Sequence, residues 1–82
     1  MNCRILHELP GRLRVHVKQC SMTIDEADIL ETYLKSISGV TEARVYERTA
    51  DAVIRFTADD ANRDDVIRAL AAFDYDGVQI DL

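Results

Sequence analysis

Eighty-two residues, 48% of them apolar and 30% charged, with one proline and three glycines, make one packed domain with a thin core and exclude a disordered tail. No apolar run approaches the roughly 20 residues that span a bilayer, and the opening MNCRILHELPGR has neither the apolar stretch nor the small-residue cleavage site of a signal peptide, so the chain reads as cytoplasmic. The formal charge is −5, but residues 1–20 hold four bases against one acid, a local +3 that leaves −8 on the other 62; this balance argues against non-specific nucleic-acid binding, while a local basic strip can still hold an anion.

Residues 12–18 (RLRVHVK) alternate apolar and polar without a break, the period of a strand buried on one face, with Leu13, Val15 and Val17 pointing inward. Residues 3–8 read as an extension of that strand, with a kink or bulge at Leu9-Pro10-Gly11, because Pro10 cannot donate a ladder hydrogen bond. Thr23-Ile24-Asp25-Glu26 is a capping box, so a helix starts there. Ala27, Leu30, Leu34 and Ile37 give it an apolar stripe, and Gly39 supplies the left-handed residue that commonly ends a helix.

Two further strands are predicted over 40–46 and 52–57, joined by a connection at 47–51 that suits an antiparallel hairpin. After Asp59-Asp60, either of which can cap, Val66, Ile67, Leu70 and Phe73 mark a second amphipathic helix. Past Gly77, Val78 and Ile80 alternate as a short last strand. The order strand, helix, strand, strand, helix, strand predicts an α+β, ferredoxin-like βαββαβ domain over residues 1–82, with a four-stranded antiparallel sheet and both helices on one face. Right-handed crossovers then put the first and third predicted strands in the centre, so that Arg12, Arg14 and His16 line the open face near Arg55 and, farther out, Arg44.

The run His7-Glu8-Leu9-Pro10-Gly11-Arg12-Leu13-Arg14, the Ser38-Gly39-Val40 step into a strand and the hairpin after it resemble the heavy-metal-associated domain family, over nearly the whole chain. Within it, they resemble the branch that opens with a pattern like His-x-x-Pro-Gly-Arg-x-Arg and lacks the metal-binding cysteine pair. The resemblance implies the cytoplasmic, regulatory N-terminal domain of a heavy-metal cation-transporting P-type ATPase, whose partners are the rest of the pump or another protein and whose only link to a membrane is through that pump. Family members that chelate soft metals carry Met-x-Cys-x-x-Cys after the first strand; here the loop is Lys18-Gln19-Cys20-Ser21-Met22-Thr23, with one cysteine.

The two cysteines, Cys3 and Cys20, have neither disulfide-framework nor CxxC spacing and are expected as free thiols. A competing reading makes the chain a metal-binding module or metallochaperone for Zn, Cu, Mn or Fe, with Cys20 as anchor and His16, Met22 or Cys3 in support. Against it, tight structural zinc sites take about four ligands, and isolated Cys and His on an amphipathic strand are more often packed or surface residues. A third reading is a stand-alone adaptor that accepts a strand on an exposed sheet edge.

His7, Arg12, Arg14, Arg44 and Arg55 are the candidate interaction face. Its bland explanation is a charged coat, but exposed ion pairs contribute only about 0–1 kcal/mol, which gives stability little reason to concentrate arginines on one face. Guanidinium forks suit carboxylates, phosphates and acidic partners. RNA recognition would need aromatics on the central strands, where this chain offers Arg, His and Val, with Tyr46 on an outer strand. No enzyme is expected and no catalytic residue is assigned: the glycine-rich phosphate cradle that acylphosphatases carry on a ferredoxin-like sheet is absent, and neither histidine nor cysteine has a recognisable nucleophile–base partner. Asp59-Asp60 and Asp64-Asp65 lack the spacing and glycine of a calcium loop and read as acids favoured by a helix start.

Overall fold

Pro10 and Gly11 decide how the chain begins to fold. Proline holds its own φ near about −65°, and Gly11 has φ 77°, the combination that a type II turn requires of its two central residues. The computed structural model, which describes residues 1–75, accordingly reverses the chain at this dipeptide. Strand β1 (Cys3–Leu9) folds back antiparallel on β2 (Arg12–Val17), with Leu9 opposite Arg12 and Cys3 opposite Val17.

This corrects the expectation of one kinked strand. The proline marks a turn, and the bulge lies inside β1, where the register shifts between Ile5 and His7. The turn is tied down from below: the Phe56 amide donates to the Gly11 carbonyl at 2.9 Å, and a Cβ at Gly11 would come within 2.8 Å of the Phe56 carbonyl oxygen.

Helix α1 (Ile24–Lys35) starts at the predicted capping box, with both reciprocal bonds made: the Glu26 amide donates to Thr23 Oγ1 at 3.0 Å and the Thr23 amide to Glu26 Oε1 at 2.9 Å. It ends four residues before Gly39, at a Ser36 cap whose hydroxyl donates to the Tyr33 carbonyl. Ile37 therefore leaves the predicted helical stripe and packs on the core from the loop. Gly39, at φ 90°, turns the chain into β3 (Val40–Tyr46), which pairs with β4 (Asp51–Phe56) through a loop closed by Ala50 at φ 55°. Helix α2 (Asp60–Ala72) is capped by the Asp59 carboxylate, which accepts from the Ala61 amide at 2.8 Å. No basic residue stands in the last turn of α2, and the Met1 ammonium instead donates to the Ala71 and Phe73 carbonyls, placing positive charge at the negative end of the helix dipole.

The sheet order is β1-β2-β4-β3, antiparallel throughout. Alternation then separates the faces. Leu13, Val15 and Val17 from β2, Ala52, Ile54 and Phe56 from β4, and Ala43 and Val45 from β3 bury against Ala27, Leu30 and Leu34 of α1 and Val66 and Leu70 of α2 in one core. The result is the ferredoxin-like α+β architecture, four antiparallel strands with both helices on one face, in which the amino-terminal segment flanks β2. The strand predicted at Val78 and Ile80 lies outside the described residues. None of the described helices is long and apolar enough to cross a membrane.

Candidate anion interface on the open sheet face

Residues directly opposite in an antiparallel pair share a face, so the registers arrange the uncovered side of the sheet as a grid of three rows across four strands. Reading from β1 to β3, the rows are Leu9, Arg12, Arg55, Glu42; then His7, Arg14, Val53, Arg44; then Arg4, His16, Asp51, Tyr46. Arg12, Arg14, Arg44, Arg55 and His7, drawn from three stretches of sequence, come together here, with Arg44 on the outer strand and Arg55 directly opposite Arg12. Arg4, Asp51 and Glu42 complete the charges of the face. Among the described residues, five arginines thus stand against two carboxylates in these rows, in a chain whose net charge is −5.

Asp51 is the pivot of one end. Only 7% exposed, it accepts from Arg14 Nη2 at 3.1 Å through one oxygen and meets His16 Nδ1 at 2.9 Å through the other. Desolvation alone would raise its carboxyl pKa; the hydrogen bonds from His16 and Arg14, with their charges, outweigh it, and the net shift is downward. A carboxylate on Nδ1 fixes the imidazole orientation and leaves Nε2 for solvent or a ligand.

The other end is unfinished. Arg12 and Arg55 place like charges opposite each other on the two central strands, an arrangement that costs free energy. Arg55 has only a loose contact with Glu42, at 3.8 Å between half-exposed side chains. Arg12 Nε is buried and has no hydrogen-bond partner among the described residues. A buried donor without an acceptor costs about 1–3 kcal/mol, so the native sequence retains two unfavourable features within one cross-strand pair.

The metal candidates are not gathered. His16 lies on the open face, between Arg4 and Asp51 along its row. Cys3 lies opposite Val17 on the core side, where burial raises its thiol pKa, with only partial offset from the Met1 ammonium; the thiolate that metals require is correspondingly disfavoured. Met22 is buried in the core and Cys20 is exposed in the loop after β2. Among the described residues, no three His, Cys, Asp or Glu side chains form a group that could hold a metal ion.

Both outer strands carry register shifts, between Ile5 and His7 in β1 and between Val40 and Glu42 in β3. Such bulges are one way a sheet edge is blunted against strand addition. Asp51 is the site residue that sequence reasoning missed, because it was assigned to the hairpin connection. Only the register that sets it opposite His16 reveals its role. Arg4 was missed for a related reason, since it joins the face only when residues 3–9 form a separate strand. No protein-family model matches the chain, and no curated protein matches it.

Proposed function

We propose that this chain is a docking domain that binds an acidic protein surface through its open sheet face, serving as the cytoplasmic regulatory domain of a heavy-metal cation-transporting P-type ATPase without a cysteine-pair metal site. Support for docking comes from the charge segregation: five arginines occupy the uncovered face while the chain as a whole is acidic. Support for the pump comes from the resemblance of the Pro-Gly-Arg-x-Arg segment and the Gly-Val step to the heavy-metal-associated family. In this reading the domain biases the pump between conformations by making and breaking an electrostatic contact, which also steers encounter.

The test is titration of the isotope-labelled domain with the soluble cytosolic domains of a heavy-metal pump from the same genome. Binding should weaken about tenfold in an Arg12→Ala/Arg14→Ala double variant, as expected from losing two surface charge contacts worth about 0.5–1 kcal/mol each. It should also weaken as salt is raised. Affinity that ignores both the variant and the salt would remove the electrostatic mechanism, and absence of binding would remove the pump assignment.

A further inference from the structure

The geometry points to an oxyanion subsite between Arg12 and Arg55, built to take a side-chain carboxylate from an acidic segment of a partner protein, a site that presupposes the docking function proposed above. Three observations converge on it. Arg12 Nε is a buried donor with no acceptor among the described residues. Its cross-strand neighbour is another arginine, which among the described residues has one loose ion pair, to Glu42. Like charges on directly opposite residues repel until an anion lies between them, and a guanidinium can present two parallel N–H donors to a planar acceptor. A bound carboxylate would relieve the like-charge pair and, with a turn of the Arg12 side chain that exposes its buried Nε, would supply that donor with an acceptor.

The face already shows what it does with a carboxylate. Two rows along the same strands, Asp51 is gripped between Arg14 and His16 at 3.1 and 2.9 Å. The Arg12 row has no such internal acid within reach except Glu42, which stands beyond Arg55. Leu9, 48% exposed and directly opposite Arg12, offers an apolar wall for the methylenes of an incoming Glu. Arg14 is excluded as the primary contact because Asp51 already occupies it.

The experiment follows the arginine Nε–H resonances of the 82-residue chain by NMR during titration with a hexaglutamate peptide and, separately, with inorganic phosphate at constant ionic strength. The expected result is saturable movement of the Arg12 and Arg55 Nε–H signals with hexaglutamate. Arg12→Lys and Arg55→Lys, which keep the charge but lose the fork, should each weaken binding at least about fivefold, while Arg68→Lys, on helix α2 and off the sheet, should leave it unchanged. Equal affinity of the lysine variants would overturn the subsite and leave charge-driven docking standing. No hexaglutamate binding by the unaltered protein at low salt would overturn the docking function as well. Saturation by phosphate without saturation by hexaglutamate would overturn the carboxylate assignment. Dispersed amide spectra establish that each variant is folded, and the two independent lysine variants guard against loss of either one.

Discussion

The two ends of the open sheet face are built on the same pair of central strands, yet they are opposites. At one end β2 offers His16 and the adjacent Arg14, and β4 answers with Asp51; donors and acceptor are matched and the carboxylate is nearly sequestered from water. At the other end β2 offers Arg12 and β4 answers with Arg55, leaving a buried donor without an acceptor among the described residues. The backbone frame is common to both, so the difference lies in one residue type on β4. A satisfied cross-strand cluster contributes stability, whereas an unsatisfied one forgoes it, and the subsite proposed above assigns the missing group to a partner.

The largest effect is expected at the turn that holds the unfinished end in place. Gly11→Ala would put a Cβ on a left-handed residue and within 2.8 Å of a backbone oxygen of β4, a neighbour that cannot rotate away. A cost of about 2–4 kcal/mol is expected, from the left-handed penalty plus the clash, read as a lower urea midpoint. If Gly11→Ala were neutral, the turn would not be fixing the Arg12 end at all. Next comes Asp51→Ala, which strips the finished end of its acceptor and leaves Arg14 and His16 unpaired. Denaturant unfolding should show a loss of about 1–3 kcal/mol, with hexaglutamate binding at Arg12 retained.

Acid sharpens the contrast, because only the Asp51 end depends on a carboxylate held below its ordinary range. The Asp51 carboxyl titrates lower in the folded protein than in the unfolded chain, so as pH falls the unfolded chain takes up its proton first. The contribution of Asp51 is therefore fully present above the ordinary value of 3.8 and is lost as pH drops through the folded value. The stability difference between the unaltered protein and Asp51→Asn should shrink as pH falls below the ordinary value of 3.8 and through the lower folded value. A constant difference across that range would mean that Asp51 is not held by charge.

How much of this was legible from sequence follows from the range of each signal. The capping box at Thr23 and Glu26, the alternation over 12–17 and the hairpin of β3 with β4 are local patterns, and each forms as it was read, except that β4 runs from Asp51 to Phe56, one residue earlier than expected. Pro10 was read through its missing N–H alone; its combination with a left-handed glycine is what makes a reversal, and that error hid a whole strand. The location of Arg12, Arg14, Arg44 and Arg55 on one face followed from alternation plus strand order, whereas His7 reaches it through the pairing of β1 with β2. Their inequality did not follow, because whether an arginine has a partner depends on which residue the register sets across from it. Arg12 and Arg14 look alike in sequence; Asp51, 37 residues beyond Arg14, separates them. The metal candidates failed to converge for the same reason, since Cys3 and His16 fall on opposite sheet faces and no spacing rule in one dimension carries that parity between strands.

The smallest effect is the most discriminating, since it asks the unfinished end to become a finished one. Arg12→Glu would set a carboxylate directly opposite Arg55, removing both the orphaned Nε and the like-charge pair. Arg55 would then lie between that carboxylate and Glu42. A gain of about 0.5–1 kcal/mol is expected in denaturant unfolding, the range for a partly exposed cross-strand ion pair, together with loss of hexaglutamate binding. Arg12→Gln separates the contributions: it abolishes the repulsion without adding a partner, so its stability should fall between the two while binding is still lost. If Arg12→Glu were instead destabilising, the arginine stem or its buried nitrogen would be contributing to the fold itself, and the division between a structural end and a binding end would collapse.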